Sequence, residues 1–192
     1  MEEGHVNCNI DKKGLATIEF GHPSSNALPG KILGKLAKTI TEISADPSCK
    51  LILLKSAGNR AFCAGASFDE LIAIENIADG KIFFSGFAKV INACRTSSKL
   101  IIGRIHGKAV GGGVGIASAM DYAFATEAAS IKLSELAVGI GPFVVGPAVE
   151  RKIGLSAMSQ LAINATAWRS ARWAEAKGLY ANVYEDIQQM DT

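Results

Sequence analysis

Between Ile32 and Ile43 the apolar residues Ile32, Leu33, Leu36, Ala37, Ile40 and Ile43 recur at three- and four-residue steps. That spacing predicts a helix with one buried face. Pro29 suits its first position, and Asp46-Pro47 closes it. Before it, "HVNCNI" and "LATIEF" flank the turn "DKKG" and predict a hairpin over residues 5–20, with Gly14 supplying the permissive backbone. The continuous apolar runs "KLILLKS" (50–56) and "KLIIGRIH" (99–106) predict buried parallel strands. Between them lie the loop "AGNRAFCAGAS", an amphipathic piece around "FDELIAIE", and a helix predicted from about Asp79 to Cys94. "VGIASAM" predicts a further helix, and "DYAFAT" and "SIKLSE" two strands separated by a short turn. The remainder is mostly helical in pattern. Ser170 is placed to cap "ARWAEAK", Gly178 to end it, and "ANVYE" to form a last strand. Strands alternating with helices predict an α/β fold with a mainly parallel sheet. With no repeat, low-complexity tract or charged linker, residues 1–192 are expected to form a single domain.

Composition removes several function classes. The chain has 192 residues, 48% hydrophobic and 20% charged, with net charge +2. No lysine or arginine run is present, so neither nucleic acid nor an anionic membrane surface is an expected partner. No apolar stretch approaches the roughly 18 residues of a membrane span. The opening "MEEGHVNCNID" is polar and acidic, unlike a signal peptide. Cys8, Cys49, Cys63 and Cys94 are scattered without a CxxC pair. That pattern fits free thiols in a cytoplasmic protein, with no disulfide framework and no metal site.

The chemistry concentrates at "HGKAVGGGVGIASAMD" (106–121), where three consecutive glycines, Gly111 to Gly113, stand between a strand and a helix. Glycine weakens both elements. Either two backbones pack closely there, or a ligand atom approaches the main chain. A helix beginning at this point presents unpaired N–H groups and the positive end of its dipole, which suits a phosphate or an oxyanion. The nucleotide fingerprints fail: GxGxxG would need glycine where Ile116 stands, and the P-loop pattern breaks at Ile102 and Ala109. An oxyanion remains, with the second glycine loop "FCAGAS" as a source of another amide. A serine nucleophile at Ser67 is disfavoured. Asp69 stands where the elbow motif needs glycine, and none of His5, His22 and His106 stands out as its base.

"NRAFCAGASFDEL" (59–71), "IHGKAVGGGVGIASAMDYAFAT" (105–126) and "SELAVGIGP" (134–142), with "PSSNAL" and "SARWAEAKGL" at either end, together resemble the enoyl-CoA hydratase/isomerase (crotonase) superfamily across residues 6–185. The resemblance implies a repeated ββα spiral and an acyl-CoA thioester bound without any cofactor beyond its own coenzyme A. It implies an enolate oxygen held by the main-chain amides of Ala66 and Gly112, with Glu135 as acid and base. Ala64, Gly65, Phe68, Gly111, Pro142 and Phe143 are the substrate-binding residues it implies. Coenzyme A is expected along Ala64 to Leu71, with its phosphates near Lys31, Arg60 or Lys108, and "LIAIENI" is an open choice for an acyl wall. A homotrimer, or a dimer of trimers, is also implied.

Two departures from the family pattern bear on the reaction. Hydratases of the family commonly carry a first glutamate where this chain has Gly115, and a small residue after the proline where it has Phe143. One carboxylate suits moving a single proton between two carbons, so double-bond isomerisation is the expected activity, with Phe143 narrowing the pocket. An enoyl-CoA hydratase acting on fatty or branched-chain acyl groups, or a non-catalytic family member, are the alternatives. The C-terminal helical part is expected to be shortened, with the helices beyond about residue 185 absent or truncated.

Overall fold

The computed structural model describes residues 4–192; the first three residues of the polar, acidic opening lie outside the described residues. The hairpin is present as β1 (His5–Ile10) and β2 (Leu15–Gly21), antiparallel, with the Asp11 carboxylate accepting the N–H groups of Lys13 and Leu15 at the turn. A two-residue strand β3 (Ala27–Leu28) leads into α1 (Gly30–Ala45), which buries Ile32, Leu33, Leu36 and Ile40 as its period predicts. Next come β4 (Leu51–Ser56), β5 (Ala61–Cys63), β6 (Gly65–Ala66), α2 (Phe68–Ile72) and α3 (Ile77–Arg95). Helix α3 starts two residues earlier than expected because the Asn76 side chain accepts the Asp79 N–H at 3.0 Å and caps it. Then follow β7 (Leu100–Ile105), β8 (Lys108–Val110), α4 (Gly112–Ala119), β9 (Tyr122–Thr126) and β10 (Ser130–Lys132). The strand expected from "SIKLSE" stops at Lys132, and after Leu133 and Ser134 a 3-10 turn runs over Glu135–Val138. The last elements are α5 (Gly146–Ile163), β11 (Arg169–Ser170), α6 (Ala171–Ala176), β12 (Asn182–Tyr184) and α7 (Ile187–Met190). Ser170 caps α6 by accepting the Trp173 N–H at 3.1 Å.

One six-stranded sheet runs β1-β2-β4-β7-β9-β12, parallel except for β1. A second sheet runs β11-β10-β8-β5, parallel except for β11, and β3 pairs with β6. The chain therefore repeats one unit. A strand in the large sheet is followed by a short strand in a small sheet, then a helical segment: β4-β5-α2, β7-β8-α4, and β9-β10 with its 3-10 turn. This is the expected ββα spiral. Strands of two or three residues carry no readable alternation, so the smaller sheets stay hidden in the pattern.

Helix α4 is buried on every side, which its uniformly apolar and small residues permit. It lies directly on β5: a Cβ added to Gly113 would stand 2.6 Å from the Cys63 carbonyl oxygen. Among the described residues no helix is long and apolar enough to cross a membrane.

The strand β3 is held by a residue that the pattern does not reveal. Asn26, 4% exposed, sits at φ +59°, a conformation asparagine tolerates better than most side chains. Its Oδ1 accepts the His22 N–H at 2.8 Å, and its Nδ2 donates to the carbonyls of Ala57 and Ala61 at 2.9 Å each. Asn26→Asp keeps the acceptor but turns a carboxylate oxygen toward two carbonyls. The unfolding free energy in urea is expected to fall by about 3 kcal/mol. A loss under about 1 kcal/mol would show that this side chain does not hold the loop.

Candidate active site

The ends of β6 and β8 lie side by side and open into one cavity of about 310 Å³. Gly65 and Gly111 stand at these ends with φ of +94° and +51°, backbone that L side chains rarely adopt. The two glycine loops touch: a Cβ on Gly65 would lie 3.3 Å from the Val110 carbonyl oxygen. The Ala64 N–H donates to Asn26 O at 3.1 Å just ahead of the β3–β6 pair. With Leu28 opposite Ala66, the parallel ladder takes the Ser67 N–H to Leu28 O at 3.2 Å. The intervening Ala66 N–H is thereby turned away from β3. On the other loop, Gly111 donates its N–H to Lys132 O at 2.9 Å, and its carbonyl accepts from Val114 and Gly115. Gly112 is the first residue of α4, so its N–H has no acceptor within the helix.

Glu135 opens the 3-10 turn and directs its carboxyl at this helix start. Its Oε1 lies 3.0 Å from where a Cβ on Gly111 would stand. Its Oε2 is buried with no hydrogen-bond partner, and burial pushes the carboxyl above the usual glutamate range. It is the only ionisable residue lining the cavity among the described residues. At Gly115 there is no space for a second carboxylate: a Cβ would stand 2.7 Å from Val145 Cγ1 and 3.0 Å from Ile91 Cδ1.

Ala64, Gly65, Ala66, Phe68, Gly111, Gly112, Glu135 and Pro142 all line the cavity. Phe143 does not. Its side chain is 85% exposed, and its ring lies against Gly141, where the Phe143 N–H donates to Gly141 O at 2.8 Å and tightens the turn. Narrowing of the pocket falls instead to Val144 and Val145. Phe83, Phe84 and Phe87 of α3 also face the cavity, and their spacing in "IFFSGF" is that of any packed helix face. Of "LIAIENI" only Leu71 reaches the cavity, while Ile72 and Ile77 are 68% and 92% exposed. None of Lys31, Arg60 and Lys108 lines it: Arg60 borders a separate polar cleft with His5 and His22, and Lys108 lies 5.0 Å from the Trp168 ring centroid.

Residues 11–192 match the family described as enoyl-CoA hydratase/isomerase. The chain is 29% identical over 189 residues to the short-chain-enoyl-CoA hydratase of Clostridium acetobutylicum, covering 97% of this chain and 72% of that protein. It is 30% identical over 153 residues to human mitochondrial 3-hydroxyisobutyryl-CoA hydrolase, covering 76% of this chain and 40% of that protein. The first three curated relatives it matches are spanned over 51%, 40% and 51% of their length, about half or less. The crystal structure of an enoyl-CoA hydratase from Mycobacterium smegmatis superimposes with a TM-score of 0.90 at 26% identity, covering 97% of this chain and 72% of that one.

Proposed function

The chain belongs to the enoyl-CoA hydratase/isomerase family, and from that premise we propose that it moves a carbon–carbon double bond within an enoyl-CoA thioester. A single observation carries this: the cavity holds one carboxylate, Glu135, and the place of a second is filled by Val145 and Ile91. Hydration must orient a water and move two protons. Isomerisation needs one group that takes a proton from one carbon and returns it to another.

In this mechanism the thioester oxygen rests between the amides of Ala66 and Gly112. The Glu135 carboxylate removes a proton from the α-carbon of a 3-enoyl thioester. The C–H electron pair forms the new double bond to the thioester carbon, and negative charge collects on the oxygen facing the two amides. That charge is larger than on the starting carbonyl, so fixed donors favour the transition state over the substrate. Protonated Glu135 then delivers its proton to the γ-carbon, leaving the double bond between the α- and β-carbons and the carboxylate restored. The burial that raises the Glu135 carboxyl makes its carboxylate a stronger base than that of an exposed glutamate. Its protonated form is a correspondingly weaker acid that still returns the proton to the far more basic γ-carbon of the enolate. The homotrimer or dimer of trimers implied by the family resemblance is part of this proposal, and sedimentation measures it.

Hydration is the second reading, favoured by the names of the relatives. Assays on 3-hexenoyl-CoA and 2-hexenoyl-CoA separate the two. Isomerisation is expected to exceed hydration at least about 100-fold in kcat/KM; faster hydration would overturn the proposal. Gly115→Glu, which would restore a pair of carboxylates, is expected to add no hydratase activity and to lower stability, because Val145 and Ile91 already occupy the space.

A further inference from the structure

We infer that the acyl group taken by this cavity is uncharged, and that a thioester bearing a second carboxylate at the far end of a short acyl chain is excluded. This rests on the acyl-CoA reading of the same cavity. The inner wall is aromatic on one side, where Phe83 and Phe84 meet edge to face at 5.1 Å and Phe87 packs one turn further on. Aliphatic side chains, Ile140, Val144 and Val145, with Val138 at the rim, also line the cavity.

Polar side chains are few: besides Glu135, only Ser67 and Ser134 line the cavity, and neither carries a charge. The Ser67 hydroxyl accepts the Glu70 N–H at 3.4 Å as the cap of α2. The Ala66 and Gly112 amides are taken by the thioester oxygen in the proposed mechanism. No lysine, arginine or histidine lines the cavity among the described residues. A distal carboxylate would therefore lose its water without gaining a cation, the costliest way to bury a charge. It would also share about 310 Å³ with Glu135, a like charge whose Oε2 has no partner to neutralise it. A methyl end on the same chain needs no counter-charge and suits a lining made mostly of phenyl rings and aliphatic side chains. The discrimination arises from what the wall lacks, which is why it follows from lining residues alone.

Titration of the full chain with hexanoyl-CoA and with adipoyl-CoA, the six-carbon thioester ending in a carboxylate, tests this without turnover. Hexanoyl-CoA is expected to bind about 100-fold more tightly. Val138→Arg places a guanidinium at the rim, where Val138 is 55% exposed and the added length reaches solvent. It is expected to reduce the preference below about tenfold, by strengthening adipoyl-CoA and weakening hexanoyl-CoA. Equal binding of the two thioesters by the unaltered protein, within about threefold, overturns the inference and leaves the acyl-CoA reading standing. If neither thioester binds more tightly than free coenzyme A, the acyl-CoA reading itself fails and takes the inference with it. Preference for hexanoyl-CoA in a protein that turns over no 3-hexenoyl-CoA upholds the inference and overturns the isomerase proposal.

Discussion

Glu135→Gln is expected to lower kcat for 3-hexenoyl-CoA isomerisation by about 1000-fold while leaving thioester binding within about threefold. The amide has the size and shape of the carboxyl it replaces but accepts no proton from the α-carbon, and a positioned acid–base group is worth roughly 100- to 10,000-fold. The same substitution is expected to stabilise the folded protein. Folding raises the pKa of Glu135, so the group favours the folded state at pH below its ordinary value, and that contribution is lost as pH rises through the raised value. Above that raised value the wild-type protein carries a buried carboxylate with an unpartnered Oε2, and glutamine does not. Urea midpoints at pH 8 and pH 5 should show the larger advantage for glutamine at pH 8. In the wild-type enzyme kcat/KM should rise with pH through a value above the usual glutamate range, because the base must be ionised to begin. Full activity in Glu135→Gln would remove this residue from the mechanism, and a variant less stable at pH 8 would contradict the environment described for it.

The glycine loops are legible in the chain because three glycines at a helix start weaken local structure, which leaves close backbone packing or a ligand at the main chain as the two readings. Glu135 comes from the family resemblance, since no local pattern separates it from a solvated carboxylate. The structure brings those segments to one cavity. What stays hidden has a physical reason in each case. Asn26 holds β3 through three bonds to backbone groups, and two of those partners are more than thirty residues away, so no local pattern marks it. The phenylalanines of α3 line the cavity, yet their spacing equally fits a helix face against ordinary core. Phe143 misleads in the opposite direction. Its position after Pro142 places it beside the site in sequence, but a tight turn at Gly141 sends the ring to solvent. Contact across the cavity depends on loop geometry over a few residues, the scale at which periodicity carries least information.

Gly112→Ala tests how the amide at the helix start is positioned. An added Cβ would stand 2.3–2.4 Å from three atoms of the Phe87 ring, which is itself buried between α3 and α4. Neither ring nor backbone can hold its place, and the start of α4 carries the Gly112 amide with it. Overpacking of this kind costs about 1–3 kcal/mol of stability. A misplaced oxyanion donor costs a further factor of about 100 to 1000 in kcat. Phe87→Ala in the same chain separates the two effects. With the ring gone, alanine at 112 has room, its amide remains, and the helix start can return to its position. The double variant is expected to recover at least about tenfold in kcat over Gly112→Ala alone, a strong departure from additivity between two touching residues. Gly112→Ala with lowered stability but unchanged kcat would show that this amide does not face the developing charge, since a displacement of a few tenths of an ångström is enough to weaken a preorganised donor.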